Sequence, residues 1–219
     1  VTSIEDVQNQ VERVLMEKGF FDVAKDYILY RYEHAKIREQ KPQEIRISVI
    51  KRSGVTEAFS IDKVRKTLAY VAKDAGADVD LESIAQQCAQ DVHDGMKTTD
   101  IAQALILTVR AFIERDPAYS RIASRLLAHK VYKEASGSAV DFTRLDEGYR
   151  TWFKTNILGL VQSGKLDPQM SKFDLDRIAI ALKPERDDLF MFLGMQTLAD
   201  RYFLNDQNTK RVLETPQAF

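Results

Sequence analysis

A chain of 219 residues is long enough for one large or two small domains with buried cores. Its 44% hydrophobic and 30% charged residues are those of a soluble, ordered, globular protein, and a net charge of −1 excludes a general nucleic-acid or membrane-surface role, which would leave a basic excess. The single cysteine, Cys88, excludes an intrachain disulfide framework and a cysteine-based zinc ribbon.

Residues 1 to about 38 are helical in pattern and carry no hairpin. Lys41-Pro42-Gln43 then links to a stretch that changes hydrophobic period. Ile45, Ile47 and Val49 alternate with Arg46 and Ser48 as a half-buried strand does, Ser53-Gly54 is a turn dipeptide, and Val55, Glu57 and Phe59 alternate again. Val64, Leu68 and Val71 next fall on one helical face. The reading is a β-hairpin that delivers the chain into a helix. Lys51 and Arg52 sit at its tip, Ser60 is the expected N-cap, and Lys63 lies in the first helical turn. A cation there opposes the helix dipole by roughly a few tenths of a kcal/mol, and a bound anion would reverse that sign.

Four helices are expected after the hairpin: about 62–75, stopped by Gly76; about 80–94, stopped by Gly95; one from the N-cap cluster Thr98-Thr99-Asp100 to Asp116-Pro117, with Ile101, Leu105 and Phe112 inward; and one ending at Ala135. Cys88 lies on the apolar stripe of Leu81, Ile84 and Ala85, as a buried structural thiol does. After Ser136-Gly137-Ser138 a third region runs to Phe219, in which Leu189, Phe192, Leu193, Gln196 and Leu198 read as a core-facing stripe and Asp200-Arg201 as a local ion pair. Trp152-Phe153 beside Lys154 reads as buried aromatics rather than a base-stacking platform. His34, His93 and His129 have no metal-ligand spacing, and no Walker or Gly-x-Gly-x-x-Gly loop occurs. No apolar run is long enough to span a bilayer and no signal-peptide pattern is present, so the expected location is the cytoplasm.

Lys51-Arg52-Ser53-Gly54, followed by Glu57-Ala58-Phe59 and Lys63, resembles the opening of an ATP cone. This is the regulatory nucleotide-binding module at the N-terminus of many ribonucleotide reductase large subunits. Ser53 replaces the usual Asp or Asn of the turn, residues that tolerate positive φ better. Asp94-Gly-Met-Lys-Thr-Thr-Asp-Ile101 and Tyr119 to Lys133 are similarly close to cone patterns, and Phe20-Phe-Asp-Val-Ala resembles Tyr119-Ser-Arg-Ile-Ala as a repeat. Phe173-Asp-Leu-Asp-Arg-Ile, Arg186 to Leu204 and Glu214-Thr-Pro-Gln217 resemble the start of the reductase's catalytic region.

The resemblance implies a mainly α fold with a small β-hairpin, in three parts: a partial, truncated first cone over 1–40, a four-helix cone capped by a hairpin over 44–136, and a helical start of the catalytic region over 137–219. It implies an allosteric site for ATP or dATP, with Mg²⁺, built from Lys51, Arg52, Glu57, Ala58, Phe59, Ser60, Lys63, Thr98, Lys130 and Lys133. Nucleotide would switch deoxyribonucleotide synthesis on or off through oligomeric state. The expected partners are other copies of the large subunit and a radical-generating small subunit, with no nucleic acid and no membrane. The family's thiyl-forming cysteine and redox cysteine pair have no counterpart here, so the chain alone is expected to be an inactive fragment of a ribonucleoside-diphosphate reductase. Two other readings are a structural, oligomerising cone that no longer binds nucleotide, and a nucleotide-responsive transcription repressor, which the absent zinc-ribbon cysteines disfavour.

Overall fold

The computed structural model describes residues 4–39, 47–74, 79–137 and 145–219, which divide into one unit up to Arg46 and a second from Ile47 to Phe219. The Lys41-Pro42-Gln43 link, Ile45 and Arg46 of the expected first strand, Ala75 with the Gly76 stop, and Ser138 lie outside the described residues.

The first unit is a helical hairpin of α1 (Ile4–Glu17) and α2 (Phe21–Glu39). Gly19 ends α1 at φ 80°, and the Phe20 N–H donates to Leu15 O at 3.0 Å, the six-to-one bond that closes a helix on a left-handed residue. Ala24 is buried, whereas Phe20, Phe21 and Val23 are exposed.

In the second unit β1 (Ser48–Ile50) and β2 (Thr56–Ala58) pair antiparallel with Val49 opposite Glu57. The Lys51 N–H donates to Val55 O at 2.8 Å and the Gly54 N–H to Lys51 O at 2.9 Å, and Gly54 takes the positive φ of 81°. That is a three-residue hairpin loop with glycine at its left-handed position. Ser53 is not among the positive-φ residues, so its departure from Asp or Asn costs this turn nothing.

A third strand, β3 (Met96–Lys97), was not expected from the sequence; it pairs parallel to β1, Ile50 opposite Lys97. The Gly95 N–H donates to Ser48 O and the Ser48 N–H to Asp94 Oδ1, each at 2.8 Å, so the turn after the second cone helix completes the sheet. Because β3 runs straight into the helix that begins at Thr98, the N-terminus of that helix lies at the hairpin-tip end of the sheet.

The helices of this module are α3 (Ile61–Val71), α4 (Leu81–Gln90), α5 (Thr98–Ala111) and α6 (Ala118–Ser136). Val64, Leu68 and Val71 of α3 and Ile84, Ala85 and Cys88 of α4 are buried at helical spacing. Asp80 caps α4 by accepting from the Ser83 N–H at 2.9 Å. That helix stops at Gln90, before the expected Asp94, because residues 91–95 turn into the sheet. Ser60 occupies the N-cap position of α3 in extended conformation but makes no side-chain cap bond, and the N-cap of α5 is Lys97, with Thr98 its first helical residue.

The third region contributes α7 (Leu145–Gln162), a 3₁₀ turn over Pro168–Lys172, α8 (Leu175–Ala181), a second 3₁₀ turn over Pro184–Leu189, and α9 (Phe192–Arg201). One apolar core runs from Val64 and Leu68 through Ile122 and Tyr132 to Tyr149, Met195 and Val212. Its α6 is buried on more than one face, at Ile122, Ala123, Leu126, Leu127 and Val131, because α5 and α9 both pack on it. Phe153 is buried and Trp152 meets Tyr149 edge-on at 5.8 Å, the core use expected of that pair. The expected stripe of the last helix is corrected: Phe192 and Met195 face the core, but Leu189 is 79% and Leu193 76% exposed. The 3₁₀ turn and the break at Phe190-Met191 reset the helical phase, so a period drawn through 189–198 spans two elements. Asp200 accepts from Gln196 Nε2 at 2.7 Å, the bond found for this carboxylate in place of the expected pair with Arg201.

Candidate functional site

The cations singled out in the sequence gather around two carboxylates. Glu57, on the central residue of β2, holds both Lys51 and Lys63 through Oε2, each at 2.8 Å. Those two ammonium groups hold its carboxyl below the usual range. This pairing resolves the problem of a lysine in the first turn of α3: the Glu57 carboxylate compensates the charge that the helix dipole disfavours.

The second carboxylate is Glu134, near the end of α6. Lys130 Nζ lies 3.8 Å from it and donates to Gln103 Oε1 of α5 at 2.8 Å. Arg52 at the hairpin tip is lowered from its ordinary value chiefly by desolvation, with Glu134 acting against that and Arg211 adding to it. Lys133 is lowered by burial and then by Arg52. His129, one turn before Lys133, is pushed down to about 4 by burial, and then by Lys133 and Arg52. Arg52 in the hairpin loop is therefore within electrostatic range of His129, Lys133 and Glu134, all in the C-terminal half of α6.

Thr98 is the first residue of α5, next to Lys97, which is opposite Ile50 in the sheet. It stands one register step from Lys51, at a helix N-terminus whose free N–H groups suit an anion. Ala58 is exposed at the end of β2. Phe59 donates its N–H to Ile47 O at 2.7 Å and packs its ring against the core, so its side chain supports the hairpin from below. Ser60 begins α3 without spending its hydroxyl on the cap. The structure thus brings Lys51, Glu57 and Lys63 together directly and pairs Lys130 with Glu134, while Arg52 is within electrostatic range of Glu134 and of Lys133.

Glu134, His129, Gln103 and Arg211 were missed by sequence reasoning. Lys130 and Glu134 are an i,i+4 pair that the helical reading could have shown. Arg211 is 78 residues beyond Lys133 and has no local signal. A cavity of about 290 Å³ lined by Tyr70, Arg125, His129, Tyr132 and Asp187 among others contains none of the predicted site residues. Cys88 is buried and its thiol is pushed up to about 11 by that burial, as a structural rather than reactive cysteine requires. Among the described residues no helix is long and apolar enough to cross a membrane.

The family model of the ATP cone domain matches residues 1–36 and 47–134. The chain is 34% identical, over 99% of its length, to the ribonucleoside-diphosphate reductase subunit alpha of Chlamydia pneumoniae. It is 36% identical over 78% of its length to the subunit alpha of Helicobacter pylori strain ATCC 700392 / 26695, and 31% identical over 78% to that of Enterobacteria phage T4. It spans about one-fifth of the length of these relatives, covering 21%, 21% and 22% of them respectively. With a hairpin seated on helices, cations drawn to that hairpin, and this pattern of similarity, the chain belongs to the ATP cone family, in the form found in ribonucleoside-diphosphate reductase alpha subunits.

Proposed function

We propose that residues 47–137 bind ATP or dATP and that the bound nucleotide regulates a reductase of which this chain is part. The observation that carries this reading is the gathering of Lys51, Arg52, Lys63, Lys130 and Lys133 on the hairpin, the first turn of α3 and α6, with Glu57 between Lys51 and Lys63 and Glu134 beside Lys130. Five cations against two carboxylates leave a local positive excess in a chain whose net charge is −1. A triphosphate supplies the missing negative charge through charge-assisted hydrogen bonds.

Lys51 and Lys63 are both held by Glu57, so they are oriented before ligand arrives. The N-termini of α3 and α5 add backbone donors, and Thr98 and Ser60 add hydroxyls. Glu57, on β2, would meet the base or ribose once the lysines turn to phosphate, with Ala58 beside it in the strand. Mg²⁺ would arrive on the phosphates, its ordinary mode in nucleotide sites.

Occupancy at the hairpin can reach the third region because α6 is bonded to it. Ser124 Oγ donates to Phe190 O at 2.6 Å, the Phe192 N–H donates to Ser120 Oγ at 3.3 Å, and Tyr132 bonds Asp187. Arg125 grips Asp188 at 2.9 and 3.1 Å and also donates to Val71 O. A nucleotide that favours one arrangement of α6 thereby favours one arrangement of the surface beyond it, which is what a switch between assembly states needs. Other copies of the subunit, and a radical-generating small subunit, are the partners this reading names.

Isothermal titration of the 219-residue chain with ATP and with dATP, Mg²⁺ present, tests the site. Saturable binding of either supports it. Absence of binding by both would leave a structural cone that packs without sensing nucleotide.

A further inference from the structure

Arg125 lies within α6 with its side chain only 18% exposed, and its guanidinium donates in two directions. Toward α3, Nη1 donates to Val71 O at 2.9 Å and also to Lys73 O. Val71 is the last residue of α3, and the last carbonyls of a helix have no partner within it, so a side chain from a neighbouring helix supplies one. Toward the third region, Nε and Nη2 hold the Asp188 carboxylate in a bidentate pair at 3.1 and 2.9 Å. One planar group therefore joins the end of α3, α6 and the second 3₁₀ turn, a fork that the ammonium of a lysine does not reproduce.

Between these three elements lies the cavity of about 290 Å³, bordered by Tyr70 and Lys73 from the end of α3, His129 and Tyr132 from α6, and Pro184 and Glu185 from the turn. Close-packed side chains transmit a displacement from one element to the next, and a void of this size has none to do so. Arg125 also lines the cavity, so its bonds bridge walls that packing there leaves unconnected. At its other end α3 belongs to the candidate nucleotide site, because Lys63 stands in its first turn, paired with Glu57. The helix has 11 residues, a rod about 16 Å long that carries a movement of its first turn to the carbonyls Arg125 holds.

We propose that Arg125 couples α3 to the third region: a nucleotide drawing on Lys63 shifts the end of α3, and Arg125 passes that shift across the cavity to Asp188 and the 3₁₀ turn. The inference rests on the nucleotide reading given above. It adds to it a route that begins in α3, beside the bonds of Ser120, Ser124 and Tyr132, which tie the third region to α6 alone. Arg125 touches no nucleotide in this role and is a positioning residue.

The test is amide hydrogen exchange of the 219-residue chain with and without saturating ATP and Mg²⁺, comparing wild type with Arg125→Lys, Asp188→Ala and, as a control that cuts a bond of α6 only, Ser124→Ala. Asp188 is 55% exposed, so its removal cuts the outer leg of the bridge and leaves the fold intact. In the wild type ATP is expected to slow exchange of the Arg186 and Phe190 amides, which donate to Lys183 O and Asp187 O, by about fivefold, the low end of ordinary coupling between sites. Arg125→Lys and Asp188→Ala lose that ratio, and their affinity for ATP falls by no more than the same factor, as reciprocity requires. Ser124→Ala keeps it. An arginine with a structural role only would raise exchange equally with and without ATP and leave the ratio unmoved. A ratio within about twofold of wild type in Asp188→Ala, an equal loss in Ser124→Ala, or exchange over 184–190 unaltered in a wild-type chain that binds ATP each overturns the coupling role and leaves the nucleotide site standing. No ATP binding by the wild-type chain removes the site and this coupling together.

Discussion

Replacing Lys51 and Arg52 together with alanine separates binding from folding. The hairpin is closed by backbone bonds from the Lys51 N–H to Val55 O and from the Gly54 N–H to Lys51 O, at 2.8 and 2.9 Å, which alanine keeps. Glu57 loses one cation but retains Lys63 at 2.8 Å. Lys51 is exposed and Glu57 half-buried, a surface setting where such pairs add little to stability. The unfolding midpoint should therefore stay close to that of the wild type. Binding loses two charge-assisted contacts at roughly 1.5 to 3 kcal/mol each, or about 2 to 5 kcal/mol together after allowing for non-additivity. The expected loss of affinity for ATP is about 30-fold to several thousand-fold. Titration calorimetry at two salt concentrations measures it, and the double variant should also show the flatter salt dependence. Affinity within twofold of wild type, in a variant that melts normally, would remove the hairpin tip from the site.

Nucleotide should slow amide hydrogen exchange across residues 47–63, because a short hairpin is marginal alone and is ordered by what it covers, and it should shift the sedimentation of the intact subunit. Exchange unaltered over 47–63, with identical sedimentation in ATP, dATP and buffer, would show that the cone is not the switch. Burial pushes the Asp187 carboxyl up to about 6 despite its bonds from Tyr132 and Gln217, so the folded chain keeps a proton that the unfolded chain releases near pH 4. Stability from this group is full below about pH 4 and is lost as pH rises through 6, by roughly 3 kcal/mol at most. Denaturant unfolding of wild type and Asp187→Asn from pH 4 to 7 should show that fall in the difference between them, and a difference that rises with pH would refute the sign. Purified chain supplied with reductant and a radical source should form no deoxyribonucleotide, since Cys88 is buried and no second cysteine is present; product would overturn the division between regulatory and catalytic parts.

Local chemistry was legible in the residues themselves. Period-2 alternation around Val49 and Glu57 marked the two hairpin strands, and Gly54 marked the turn, because strand pleat and left-handed glycine are properties of a few adjacent residues. The helical spacing of Val64, Leu68 and Val71, and of Ile84, Ala85 and Cys88, likewise named the buried faces of α3 and α4. Cations at Lys51, Arg52 and Lys63 were visible as a cluster for the same reason, being within thirteen residues of one another.

What the residues could not show were relations set by packing across long separations. A two-residue strand such as Met96–Lys97 has too few positions to display a period, and it exists only because β1 offers an open edge. The exposure of Leu189 and Leu193 depends on where the 3₁₀ turn ends and α9 begins, a phase fixed by Phe192 and Met195 docking on the core. Tyr132 meets Asp187 only because α6 and the second 3₁₀ turn pack together, although the two residues are 55 apart in sequence. Sequence by itself determined the elements and the charges they carry, since both follow from near neighbours along the chain; tertiary structure alone decided which carboxylate answers each cation, because Coulomb energy depends on distance in space and the core sets that distance.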